Sequence, residues 1–186
     1  MSQPNTLLEL IHVAPAGNTA FLLPEAGIRV SYDSLRKQVS AMADDLASIG
    51  IGRGDRVATV LPNGLPAVVS FLAGSVAGTA APLNPGYRED EFTFFLEDTN
   101  AKVLLCMAEG GEAARKAAAA LGVPVYTLEM DANGIVSIAG APHGKTATPP
   151  TAGTIVIPES VPGPGLFAIA SAMLADEPVT LFPPAS

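Results

Sequence analysis

The sequence predicts an α/β fold, a three-layer αβα sandwich around a mostly parallel, doubly wound sheet of the Rossmann or flavodoxin-like kind. The main observation is that short apolar, β-branched runs alternate with helical segments through residues 56–129, which is typical of βαβ units. A second observation is size, because 186 residues with 48% hydrophobic content can bury a core without disulfides or metal. We therefore expect helices on both faces of one sheet.

The part before this alternation predicts two helices and two short strands. A first helix is predicted over residues 6–13, and strands over residues 20–23 and 27–30 around a turn. An amphipathic helix over residues 33–49 follows, because apolar residues recur there at spacings of three and four: Leu35, Val39, Met42, Ala43, Leu46 and Ile49. Gly50 ends it, since glycine is common just past a helix end.

The alternating part predicts strands over residues 56–61, 79–83, 102–107 and 124–129, and helices over residues 65–77, 89–98 and 112–121. Asn63 is a suitable cap for the first of these helices, and Pro66 lies near its first turn, where proline is tolerated. The acidic residues 89–91 mark the next helix start, because the helix dipole favours negative charge there. A tight turn at residues 131–134 is expected to lead to a small edge hairpin through residues 135–138.

Composition divides the chain into an α/β subdomain, a Pro/Thr/Gly-rich linker and a βαβ unit that completes or extends the sheet, at residues 1–140, 141–153 and 154–186. The last unit predicts strands over residues 154–157 and 179–182 around a helix over residues 165–175, close to the minimum length of a parallel crossover. This helix and the one over residues 65–77 are apolar on nearly every side. They predict an apolar surface and self-association.

Charge and cysteine content exclude several classes of partner. The net charge is −8 and the ten basic residues form no stripe, so we expect neither nucleic acid nor an anionic membrane as a partner. Cys106 is the only cysteine; it predicts a buried thiol and favours a cytoplasmic location. We expect no signal peptide, and the apolar helices are too short to span a bilayer.

Four strings of residues carry a resemblance to a known family. They are VSYDSL at residues 30–35, GRGDRVA at 52–58, LPN at 61–63 and AAPLNPGY at 80–87. Together they resemble the N-terminal subdomain of the adenylate-forming acyl-CoA ligases, or AMP-binding enzymes, and are most similar to the oxalate–CoA ligase branch. The resemblance covers roughly residues 6–140. It implies a parent family that binds ATP, AMP and CoA, in which ATP activates a carboxylate.

The similarity is weaker after residue 140. The family carries a phosphate loop there, whose backbone N–H groups and lysine bind ATP, whereas this chain reads HGKTAT at residues 143–148. Gly140 and Gly144 are too close for a Walker-type loop, so a flexible linker is predicted. A later histidine-containing string of the family is replaced by PESVPGPG at residues 158–165. We expect a truncated and rearranged chain that lacks the phosphate loop and the C-terminal domain.

Other chemistry finds little support in the sequence. The acidic groups at residues 44–45 and 89–91 are interpreted as solvated faces or helix ends rather than metal ligands. We predict no catalytic, cofactor-binding or metal-ligating residues in this chain, and no cofactor. Three functions remain: a non-catalytic, isolated or engineered subdomain without its own adenylation activity; an ATP-dependent, oxalate–CoA ligase-like enzyme completed by another chain; or a module that binds a small molecule or protein at the carboxyl ends of the strands.

Overall fold

The computed structural model describes residue 4, residues 6–149 and the backbone of residues 179–180. Its helices are α1 (Leu7–Val13), α2 (Tyr32–Ser48), α3 (Leu65–Ala77), α4 (Glu89–Asp98) and α5 (Glu112–Leu121). Its strands are β1 (Thr19–Leu23), β2 (Ile28–Ser31), β3 (Arg56–Val60), β4 (Thr79–Leu83), β5 (Ala101–Met107), β6 (Val125–Met130), β7 (Val136–Ile138) and β8 (Val179–Thr180). Each element predicted before residue 140 is present within one residue of its predicted ends.

The main sheet has five strands in the order β4-β3-β5-β6-β7. The first four are parallel, and β7 runs antiparallel to β6. The chain winds from β3 to β4 on one side and then returns past β3 to β5 and β6. This topology confirms the predicted doubly wound, mostly parallel sheet.

Helices cover both faces of the sheet, because successive strand residues point to opposite sides. Val57 and Leu105 are buried on the face that packs against α1, α2 and α3. Leu104 and Cys106 are buried on the other face, under α4 and α5. The three predicted layers are therefore confirmed.

The packing of α3 explains why its sequence is apolar on nearly every side. It lies in the layer that contacts α1, α2 and the sheet, and most of its residues are buried. Only a narrow stripe is partly exposed, consisting of Ala67, Phe71 and Ser75. Neighbouring elements therefore cover most of α3, as expected for a helix that is apolar on every side. Self-association through the remaining stripe stays a prediction.

A second, three-stranded sheet has the order β2-β1-β8. β1 and β2 pair antiparallel, and the backbone of β8 pairs parallel with β1. The strand predicted over residues 154–157 and the helix predicted over residues 165–175 lie outside the described residues. The prediction that this last unit completes or extends the sheet therefore stays a prediction.

Candidate functional site

The sheet reverses its winding between β3 and β5, which are neighbours with Val60 opposite Cys106. From there the loop of residues 61–64 leads to α3 on one face, and the loop of residues 108–111 leads to α5 on the other. In open α/β sheets, ligands bind outside the carboxyl ends of the strands at such a switch point. We name these two loops the switch-point loops.

Two glycines and an arginine determine the conformation of the loop after β5. Gly110 and Gly111 have φ angles of 80° and 72°, a left-handed region that favours glycine. The guanidinium of Arg115 donates hydrogen bonds to the carbonyl oxygens of Met107 and Gly110. Arg115 therefore ties the start of α5 to the end of β5 beside the switch point.

Cys106 lies beneath this loop and is fully buried. Burial raises the pKa of its thiol, although the charge of Arg115 opposes the shift. A thiol in such surroundings is protonated at neutral pH and is a poor nucleophile. The predicted buried strand thiol is confirmed.

The loop after β3 corrects one local prediction. Asn63 is exposed, and the residue that caps α3 is Gly64, with no side-chain cap hydrogen bond. The prediction that Asn63 caps this helix was wrong, because the chain enters α3 one residue later through Gly64 and Leu65. The Asn63 side chain is thus not used as a helix cap beside the switch point.

The GRGDRVA string lies at the other end of the strands, where β3 begins. The carboxylate of Asp55 accepts hydrogen bonds from Gly52 N at 2.8 Å and Lys102 Nζ at 2.9 Å. The Lys102 hydrogen bond, followed by that of Gly52, lowers the pKa of Asp55. Arg56 donates to the carbonyl oxygens of Thr99 and Asn100. This string joins the starts of β3 and β5, and two of its charged residues, Asp55 and Arg56, have structural partners there.

Residues 141–149 contain neither helix nor strand, but they are attached to the C-terminal half of α2. The amide of Lys145 donates to Ser48 Oγ at 3.0 Å, and the amide of Ala147 donates to Asp44 Oδ1 at 2.8 Å. His143 Nδ1 lies 2.8 Å from Asp45 Oδ1. We call this segment the α2 strap.

These contacts lie within the segment whose composition predicts a linker over residues 141–153, and that linker stays a prediction. Asp45 is buried, with 8% of its surface exposed, so the interpretation of both acidic residues 44–45 as a solvated face was wrong for Asp45. Sequence reasoning missed these contacts because the partners are about 100 residues apart in the chain. No local pattern signals such a pairing.

Within the described part of the chain, no group of three or more His, Cys, Asp or Glu residues could hold a metal ion. None of its helices is long and apolar enough to cross a membrane.

Residues 11–161 match the family described as AMP-binding enzyme. The chain belongs to the AMP-binding enzyme family. The resemblance seen in the four strings is thereby confirmed, and the match continues through the α2 strap.

Curated relatives of this AMP-binding family member include CoA ligases. The protein named "Probable CoA ligase CCL9" from Humulus lupulus is 31% identical over 79% of this chain and 29% of its own length. The oxalate–CoA ligase of Arabidopsis thaliana is 38% identical over 53% of this chain and 19% of its own length. The chain thus spans less than a third of these relatives.

Solved structures share the fold. Apo MatB from Rhodopseudomonas palustris has a TM-score of 0.63 and 25% identity, covering 80% of this chain and 30% of that one. The N-terminal domain of FACL13 from Mycobacterium tuberculosis, at 24% identity, has a TM-score of 0.54 over 64% of this chain and 30% of that one. The α/β fold described above is therefore the fold of AMP-binding enzyme N-terminal domains.

The AAPLNPGY string has a structural role in this AMP-binding family member. Asn84 Oδ1 accepts a hydrogen bond from Gly86 N at 2.9 Å, which closes the turn after β4. The Tyr87 ring stacks on Phe95 with 5.1 Å between ring centroids and meets Phe92 edge-on at 5.8 Å. The string therefore fixes how α4 leaves the sheet.

Proposed function

We propose that these 186 residues act as the N-terminal α/β scaffold of an acid–CoA ligase and do not catalyse adenylation by themselves. The observation that carries the proposal is the way the α2 strap uses its backbone N–H groups. The resemblance places a phosphate loop at this point of the chain, and such a loop needs amides that converge on an anion. Here the amides of Lys145 and Ala147 donate to side chains of α2 instead.

Electrostatics support the same proposal. The carboxylates of Asp44 and Asp45 lie 2.8 Å from the Ala147 amide and the His143 ring. A triphosphate bound along this segment would face both carboxylates, and like charges at such short range repel strongly. The strap is thus bound to side chains of α2, and ATP could bind along the strap only if these contacts were broken.

Adenylation is tested by ATP–pyrophosphate exchange with oxalate and a panel of short carboxylic acids. We expect the chain alone to give the rate of a protein-free blank. A full-length oxalate–CoA ligase, such as that of Arabidopsis thaliana, serves as the positive control. Acid-dependent exchange that scales with the concentration of the chain would overturn the proposal.

A second candidate is an oxalate–CoA ligase-like enzyme that another chain completes. It is favoured by the names of the curated relatives and by the short share of their length that this chain spans. The test adds to the exchange assay the portion of the Arabidopsis thaliana ligase that follows the matched region. Exchange that appears only in the mixture supports this candidate, and a mixture no better than the two separate parts contradicts it.

A third candidate is a module that binds a ligand at the switch-point loops, where the topology favours binding. Titration calorimetry with AMP, CoA and oxalate tests it. Heat that is lost when Gly111→Val distorts the loop after β5 would support this candidate. Flat titrations with all three ligands would contradict it.

A further inference from the structure

The outward face of α4 combines an exposed aromatic ring with a ring of carboxylates. Phe94 has 61% of its surface exposed, more than any other described aromatic residue. Residues three and four positions apart share one face of a helix. At those four positions around Phe94 the chain has only acidic residues, all exposed: Asp90, Glu91, Glu97 and Asp98.

The ring of Phe94 contacts one neighbouring aromatic ring of the same helix. Its ring meets Phe95 edge-on with 5.2 Å between centroids. Phe95 stacks on Tyr87, which meets the buried ring of Phe92. Phe94 is thus the outer end of an aromatic chain that begins in the core. Rigid aromatic side chains lose little conformational entropy on binding, and they often serve as interface anchors.

Asp90 and Glu91 lie in the first turn of α4, where the helix dipole favours negative charge, and Glu91 also accepts a hydrogen bond from the amide of Arg88. The C-terminal part of the face is unfavourable for the isolated helix. Glu97 and Asp98 lie in the last turn of α4, which contains no basic residue, and negative charge is disfavoured at a helix C-terminus. Exposure of Phe94 to water is also unfavourable. Residues that break local rules of stability together on one face indicate a role other than folding.

We propose that this α4 face is a docking surface for a protein partner that presents lysine or arginine side chains around an apolar residue. The partner's apolar residue and one of its cations would contact the Phe94 ring. Its other cations would pair with the surrounding carboxylates, which form the polar rim of the interface.

Charge decides the class of partner. Phosphate-bearing partners, which include nucleic acids and anionic membranes, would be repelled by the four carboxylates. A second copy of this chain is a poor match, since its ten basic residues form no stripe. In addition, Arg36, Arg56 and Arg115 already donate to backbone carbonyl oxygens. The surface therefore fits a different, basic protein segment, and this inference is independent of the proposed scaffold role.

The test is an NMR titration of the chain with a short, helical, amphipathic peptide whose arginines flank a leucine stripe. We expect amide shift changes concentrated on α4 and binding that weakens as salt increases. Phe94→Ser should weaken binding about tenfold, as should Glu97→Lys with Asp98→Lys. The matched control, Glu25→Lys with Glu129→Lys, makes the same change in net charge at two exposed residues away from α4 and from the switch-point loops. The dissociation constant of this control for the peptide should stay within about twofold of the wild-type value.

Thermal melts separate loss of the surface from loss of the fold. Glu97→Lys with Asp98→Lys should melt no lower than wild type, because lysines at a helix C-terminus are favourable. The proposal is overturned if the wild-type chain does not bind the peptide, or if shift changes spread evenly over its acidic surface. Equal weakening by the control pair would also overturn it, since attraction would then depend on net charge alone.

Discussion

Replacing Gly78 with alanine should strongly destabilise this fold, because there is no room for a side chain. Gly78 closes α3, and the next residue, Thr79, donates its amide to the carbonyl of Asp55 at 2.8 Å. A Cβ atom on Gly78 would lie 2.6 Å from that carbonyl oxygen and 3.1 Å from the carbonyl oxygen of Gly52. Both close atoms belong to the backbone, so rotation of a side chain cannot relieve the contact.

The size of the effect follows from what must move. Overpacking of a well-packed site costs about 1–3 kcal/mol, and losing the hydrogen bond from Thr79 to Asp55 adds about 1 kcal/mol. We expect Gly78→Ala to lower the free energy of unfolding by about 3 kcal/mol. In a domain of this size that corresponds to a decrease in Tm of roughly 6–12 °C.

Urea unfolding followed by circular dichroism measures this change as a lower midpoint with the same m-value. Gly17→Ala is the matched control, because no atom lies within 4 Å of its added Cβ. It should stay within about 0.5 kcal/mol of wild type. The reasoning is refuted if Gly78→Ala also unfolds within about 0.5 kcal/mol of wild type.

Three further predictions concern polar and ionisable groups. Gln38 is buried, and its Oε1 accepts a hydrogen bond from Val136 N at 2.8 Å. Gln38→Leu should therefore lower the free energy of unfolding by about 1–3 kcal/mol and speed hydrogen exchange of the Val136 amide, whereas unchanged exchange would contradict this. The folded pKa of Asp55 lies below the ordinary aspartate value of 3.8. Its ionised form therefore stabilises the fold above that pH, and this stabilisation is lost as pH falls through the folded pKa. The stability difference between wild type and Asp55→Asn should therefore be largest near neutral pH and shrink below about pH 4, whereas a constant difference would argue against the Asp55 contacts. The buried Cys106 thiol, with its raised pKa, should react with a disulfide reagent at neutral pH only after urea is added, and rapid reaction of the folded chain would contradict its burial.

The order of elements was predictable because each one has a local signal. The apolar spacing of α2, the acidic start of α4 and the turn residues 131–134 act over a few neighbouring positions. The cap of α3 was assigned to the wrong residue. Asn63 and Gly64 are both suitable residues for a helix start, and the three-dimensional path of the backbone determines that Gly64 is the cap. The α2 strap could not be predicted, because its Pro- and Thr-rich composition carries no information about the α2 side chains that hold it.

The sequence by itself determined the α/β class and the bounds of the elements before residue 140, because periodicity and turn chemistry are local. The family came from the resemblance of the four strings to known members. Only the tertiary structure decided which polar groups meet. Asp55 accepts a hydrogen bond from Lys102, which is 47 positions away in the chain, and Gln38 accepts one from Val136, which is 98 positions away. These contacts depend on how the elements pack, since a side-chain hydrogen bond needs its partners within about 3 Å. The same packing leaves Phe94 exposed while it buries Phe92, two residues away on the same helix.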